Sequence, residues 1–192
     1  MKISQPGLRS LRGFVAAVFM LLLALSTILT SAQRIVSPPG IRNFGKVNDE
    51  FYRGSQPNQT QVAALKAMGV KTIIDLRRDN VPEERQWASE AGLNYFNLPL
   101  KSNQRANQEQ TEYFLRLVND PANFPVYVHC KGGRHRTGAL TAIYRITRDG
   151  WTAEQAWEEM KKYDFNDTIF GGPADQKKFV FDFYKNFVQA RH

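Results

Sequence analysis

The sequence predicts an α/β domain, a small and mainly parallel sheet flanked by helices, preceded by an N-terminal hydrophobic segment. Three observations predict it. Short runs of β-branched and aromatic residues alternate with segments of helical apolar spacing. Polar capping residues open those helices, and Gly69 and Gly92 close two of them just ahead of the next strand. After the last strand, only helical patterns follow.

The chain begins with Lys2, Arg9 and Arg12, no acidic residue before position 33, and an apolar run from Phe14 to Leu29. Thr30-Ser31-Ala32 supplies small residues where a signal peptidase would cut. The run is long for a signal peptide and near the lower limit for a membrane span. Residues 1–32 are therefore expected to be either a cleaved signal peptide or a membrane anchor. Both readings export the domain, to the periplasm or exterior if cut and to the membrane surface if retained. Residues 33–42, with Ser37-Pro-Pro-Gly, read as linker, and residues 43–192 as the folded domain.

Within that domain, Phe51-Tyr-Arg-Gly reads as the first strand. Asn58 and Gln61 form a capping box for a helix through Met68, and Val70 to Leu76 is the clearest strand. Pro82 opens a helix through Ala91, and Leu93 to Leu98 is the next strand. Pro99 to Ala106 reads as a polar loop. Asn107 with Gln110 caps a helix to about Asn119, and Val126 to His129 is the last strand. A helix to about Arg148 follows, then one from Ala153 to Tyr163 capped by Thr152 and Gln155. A final helix spans Asp175 to about Val188.

The 192 residues carry 42% hydrophobic and 12% aromatic residues and a net charge of +8; setting Lys2, Arg9 and Arg12 aside leaves +5 on residues 33–192. A moderately basic domain suits an anionic ligand, but no Lys/Arg stripe with interleaved aromatics points to nucleic acid. One cysteine makes no internal disulfide, and it removes zinc ribbons and thiol–disulfide reductases from consideration. Oligomeric state is not encoded in any pattern of the sequence.

That cysteine lies in His129-Cys-Lys-Gly-Gly-Arg-His-Arg-Thr-Gly138, between the last strand and the helix after it. A strand, a glycine-bearing loop and a helix N-terminus together make a phosphate site. Cys130 there is a candidate nucleophile, its thiolate favoured by the helix N-terminus and by Lys131, Arg134 and Arg136. Gly132 and Gly133 allow backbone N–H groups to turn inward. Arg136 offers a planar fork for two phosphate oxygens, and Thr137 a hydroxyl near the sulfur. His129, on a buried strand, is expected to hold the loop rather than to transfer protons. Taken singly, a packed cysteine, a Gly-Gly turn and a solvated basic run are the simpler readings; their coincidence at one junction favours the phosphate site. No Gly-Lys-Ser/Thr follows, which excludes a Walker loop.

His-Cys-(five residues)-Arg-Thr-Gly resembles the signature of the cysteine-dependent protein tyrosine phosphatases. With His135 immediately before Arg136, it is similar to the atypical dual-specificity branch of plants, fungi and bacteria. Tyr52-Arg-Gly-Ser-Gln-Pro, Val70 to Leu76 and Trp151 to Met160 resemble that branch as well, so the likeness covers roughly residues 43–190. It implies a phosphocysteine intermediate on Cys130, phosphate binding by Arg136 and by the loop from Lys131 through Gly132, Gly133 and Arg134 to His135, and no metal or cofactor. The substrate it implies is a phosphotyrosine or phosphoprotein, or an inositol (poly)phosphate. Basic residues at Lys131 and Arg134 resemble the loops that accept phosphorylated inositols. The family also protonates the leaving oxygen with an aspartic acid about thirty residues before the cysteine. Here Pro99-Leu-Lys-Ser-Asn-Gln-Arg-Ala-Asn holds no carboxylate. Glu109 is the candidate, against the simpler reading of a first-turn glutamate favoured by the helix dipole. Glu112, Asp164 and Asp167 are further possibilities, and the general acid stays unidentified. A phosphate-binding module of the same fold with impaired catalysis is the alternative. Arg53 and Asp75 end early strands; both are left outside the catalytic set, with Asp75 read as bonding a neighbouring loop or pairing with an arginine.

Overall fold

The computed structural model describes residues 40–79, 81–102, 104–166 and 172–191, with side chains from residue 175 in the last stretch. The expected signal or anchor at 1–32, most of the linker, and Asp167 lie outside the described residues. None of the described helices is long and apolar enough to cross a membrane.

The elements are β1 (Gly45–Asn48), β2 (Phe51–Ser55), α1 (Gln59–Ala67), β3 (Thr72–Arg77), α2 (Pro82–Glu90), β4 (Asn94–Leu100), α3 (Gln108–Asn119), β5 (Val126–Cys130), α4 (His135–Arg148), α5 (Ala153–Lys162) and α6 (Gly172–Gln189). The sheet order is β1-β2-β5-β3-β4; β1 runs antiparallel to β2 and the other neighbours are parallel. All three capping boxes form, at Asn58, Asn107 and Thr152, each with its glutamine reaching back to the cap N–H. Gly69 and Gly92 leave α1 and α2 at positive φ, where a side chain would strain the backbone.

Successive side chains on the buried strands point to opposite faces and so into two cores. Ile73 and Tyr127 face α1 and α2, with Val62, Leu65 and Ala88. Ile74, Val126 and Val128 face the helices after the sheet, where Phe114, Leu140, Ile143 and Tyr144 close over them. The result is a three-layer sandwich. Helix α4 is its centre: nine of its residues are buried, and Phe51 meets Tyr144 edge-on at 4.9 Å.

Four expectations need correction. Strand β1 forms where no pattern predicts one, because Gly-Lys-Val-Asn carries one apolar residue and shows no alternation. Packing begins at Ile41, which is buried, rather than at Asn43. β4 runs through Pro99 to Leu100, which a sheet-edge strand tolerates because its outer N–H groups need no partner. The last helix starts at Gly172, three residues before Asp175.

Candidate active site

In open parallel sheets, ligands bind beyond the carboxyl ends of the strands. Here the register sets Ser55 of β2 beside Cys130 of β5, and Asp75 of β3 beside His129. Cys130 is therefore the last residue of the central strand, and the loop 131–134 turns directly into the N-terminus of α4.

The loop's backbone is oriented from outside. Three successive carbonyls are drawn away from the sulfur: Lys131 O accepts from Gln56 N–H (3.4 Å), Gly132 O from Asn43 Nδ2 (2.9 Å) and Gly133 O from Arg53 Nη2 (2.7 Å). In a planar trans peptide, the N–H points opposite to its carbonyl. The N–H groups of Gly132, Gly133 and Arg134 are thus turned inward, forming an anion nest. Gly133 sits at φ +68, and a Cβ there would lie 2.5 Å from the Gly54 carbonyl carbon; only glycine fits.

Burial would push the Cys130 thiol up, but other groups outweigh it. The buried Thr137 hydroxyl, the Arg136 charge and the N–H groups of Thr137 and Gly133 hold it below its ordinary value. Arg136 Nη1 is anchored on the carbonyls of Leu100 (3.0 Å) and Leu76 (3.3 Å), at the ends of β4 and β3. The guanidinium lines a hollow of about 350 Å³ over Cys130, together with Lys131, Gly132, Arg134, His135, Arg42 and Ser102. Among the described residues, no carboxylate lines this hollow. An adjoining hollow of about 280 Å³ shares Lys131, Arg136 and Ser102 and adds Arg78, Lys101 and Asp79.

The residues singled out from sequence in the loop thus converge. His135 needs one refinement. Its ring meets Phe165 edge-on at 4.9 Å, and burial, then Arg134 and Arg136, push its pKa down, so it is a neutral wall of the hollow rather than a cation. Glu109 stands in the first turn of α3, exposed, and lines neither hollow.

His129 is fully buried, with Nε2 2.7 Å from Glu84 Oε1. Burial favours the neutral ring, but Glu84 and then Asp75 override it and raise its pKa. Arg77 Nη2 lies 2.6 Å from both Asp75 and Glu84, and Tyr95 donates to Asp75 at 2.7 Å. Asp75 accordingly pairs with an arginine. Asp75, Glu84 and His129 could by themselves present three metal ligands, but the Arg77 guanidinium already occupies both carboxylates and closes the network. Sequence reasoning missed Asn43, Gln56 and Glu84, whose roles rest on contacts across 80 or so positions of chain or between helix and strand; Arg53 was noticed but not assigned a role.

The family described as "DSP-PTPase phosphatase fused to NAD+ Kinase" matches residues 40–180. The dual specificity protein phosphatase TpbA of Pseudomonas aeruginosa is 32% identical over 125 residues, 65% of this chain and 56% of TpbA. The chain therefore spans a little over half of that relative. The structure of TpbA in complex with pTyr superimposes with a TM-score of 0.62 at 27% identity, covering 79% of this chain and 93% of that one. Inositol diphosphatase DSP3 of Arabidopsis thaliana is 30% identical over 133 residues, 67% of this chain and 64% of DSP3. The core catalytic domain of the PP-IP phosphatase SIW14 from S. cerevisiae shares the fold, with a TM-score of 0.67 at 24% identity over 78% of this chain and 90% of that one. With the nucleophile loop, the sheet and the matched residues all in agreement, the chain belongs to the atypical dual-specificity branch of the cysteine-dependent protein tyrosine phosphatases.

Proposed function

We propose that the chain hydrolyses phosphomonoesters through a phosphocysteine intermediate on Cys130. The observation that carries this reading is a stabilised sulfur beneath inward-facing N–H groups and beside an anchored arginine. The thiolate attacks phosphorus, a phosphorus–sulfur bond forms as the bond to the leaving oxygen breaks, and water then releases phosphate and regenerates the thiolate. Arg136 and the amides of residues 132–134 take the charge of the equatorial oxygens. Lys131 and Arg134 add positive charge to the hollow. The Thr137 hydroxyl is buried beside the sulfur, where it favours the thiolate as nucleophile and as leaving group.

The substrate is a phosphorylated protein or an inositol polyphosphate, the two classes named among the relatives. Arg78 and Lys101 in the adjoining hollow support the more highly charged class. The test is a panel of phosphotyrosine peptides, phosphoinositides and inositol polyphosphates with wild type and Cys130→Ser. Turnover that survives the substitution overturns the proposal. Binding of phosphorylated ligands without phosphate release from any of them favours the impaired module, which the lack of a carboxylate among the described lining residues supports. We also propose that residues 1–32 direct export. The basic start and apolar run support this, and mass spectrometry of the mature N-terminus separates signal peptide from anchor.

A further inference from the structure

Arg53 is a buried cation that the proposed chemistry does not touch. It is 0% exposed on β2, its Nη2 donates to Gly133 O at 2.7 Å, and its guanidinium lies 3.9 Å from the centre of the Tyr163 ring. Among the described residues, Nε and Nη1 have no hydrogen-bond partner. The fold makes room for this arrangement: a Cβ on Gly45 would overlap the Tyr163 hydroxyl, so β1 has a glycine where the ring passes.

We infer that Arg53 is a positioning residue that holds the Gly133–Arg134 peptide so that the Arg134 N–H faces the phosphate. The inference rests on the phosphatase reading and goes beyond it. Gly133 at φ +68 has no side chain to fix its peptide planes, and both neighbouring peptides are pinned from outside instead. Asn43 holds the 132–133 peptide, whose N–H reaches the sulfur. Arg53 holds the next one, and with that carbonyl drawn outward the Arg134 N–H lies on the opposite side of the peptide. The two pins therefore divide the work: Asn43 serves the thiolate, and Arg53 serves the bound phosphate. Tyr163 fixes Arg53 in turn, by covering the guanidinium face where no hydrogen bond does.

A residue kept only for structure would not be built this way. Burial pushes the Arg53 pKa down to about 10, the mark of a charge the fold accommodates at a cost, and two of its nitrogens are left bare. Removing Arg53 relieves a buried charge but leaves the Gly133 carbonyl without its donor, a modest net change in stability, whereas a displaced amide in a preorganised anion site costs roughly 10²-fold in rate.

The test uses the full chain with Arg53→Met, Arg53→Lys, Tyr163→Leu and Asn43→Ala, a generic aryl phosphate as substrate and inorganic phosphate as competing ligand. Arg53→Met is expected to stay folded at the assay temperature with a melting temperature close to wild type, to lose on the order of 10²-fold in kcat/KM, and to weaken inhibition by inorganic phosphate about tenfold. Arg53→Lys, which keeps a cation and a donor, recovers part of both losses. Asn43→Ala instead raises the pH midpoint of Cys130 alkylation. Wild-type turnover and phosphate inhibition in Arg53→Met overturn the inference, as does a loss of activity explained by a lowered melting temperature. If Arg53→Met does not fold, Tyr163→Leu decides: unchanged phosphate inhibition overturns the inference, and weakening by severalfold supports it. Failure of the phosphatase reading is distinct, because it shows as turnover by Cys130→Ser.

Discussion

The buried network beneath the nucleophile makes a measurable stability prediction. Glu84→Gln keeps the side chain's shape but removes one of two negative charges that face Arg77 and His129 at 2.6 and 2.7 Å. Breaking a buried pair by removing one partner costs roughly 3–5 kcal/mol. The amide still offers an oxygen to His129 and Arg77 keeps Asp75, so the lower end applies, about 3 kcal/mol. For a domain of this size, that corresponds to a melting temperature lower by roughly 6–12 °C. The pH dependence fixes the sign. His129 has a folded pKa raised above its ordinary 6.5, so its contribution is fully present below pH 6.5 and is lost as pH rises through the folded value. In the variant Asp75 alone still raises this pKa, so the gap to wild type is wider at pH 5.5 than at pH 8. Thermal or urea denaturation at the two pH values measures it. A gap under 2 °C, or one that widens with pH, would refute the argument that Glu84 raises the His129 pKa beneath Cys130.

The remaining predictions concern the site itself. Iodoacetamide should alkylate Cys130 with a midpoint below the ordinary 9.0, and Thr137→Val should move that midpoint up, because it deletes the strongest of the groups opposing burial. Arg136→Lys should lower kcat by on the order of 10²–10³-fold, since an ammonium cannot both hold the Leu100 carbonyl and fork across two phosphate oxygens. Glu109→Gln should leave turnover within twofold for aryl and alkyl phosphates alike, while Asp79→Asn, at the rim of the site, has the larger effect on the alkyl substrate; the reverse order would restore Glu109 as proton donor. Arg78→Ala with Lys101→Ala should raise KM for an inositol polyphosphate, more at low salt than at high, and leave a singly charged aryl substrate unchanged.

Much of this was legible in the chain. Capping boxes, helix-ending glycines and the strand-loop-helix setting of Cys130 are local patterns, written within a few residues of one another. So was the convergence of Arg136 and Thr137 on the sulfur, because six or seven residues of loop and first helical turn leave little freedom. The grip on the loop was not legible. Asn43 meets Gly132 across 89 positions and Arg53 meets Gly133 across 80, contacts that exist only once β2 lies beside β5. Arg53 stands at a strand end, and nothing in Phe-Tyr-Arg-Gly says that a tyrosine from beyond α5 will cover it. Glu84 lies in the first turn of α2, and only the packing of α2 on the sheet gives it His129. Strand β1 lacked a pattern altogether, being held by pairing with β2 rather than by its own residues.

The most direct test of the account is to trap the intermediate. Acid quenching during turnover of an aryl phosphate, followed by peptide mass spectrometry, should find phosphate on the peptide containing Cys130 in wild type and not in Cys130→Ser, with turnover lost in the same variant. Phosphate release that continues in Cys130→Ser, or a phosphoryl group found on a different residue during turnover, would contradict it.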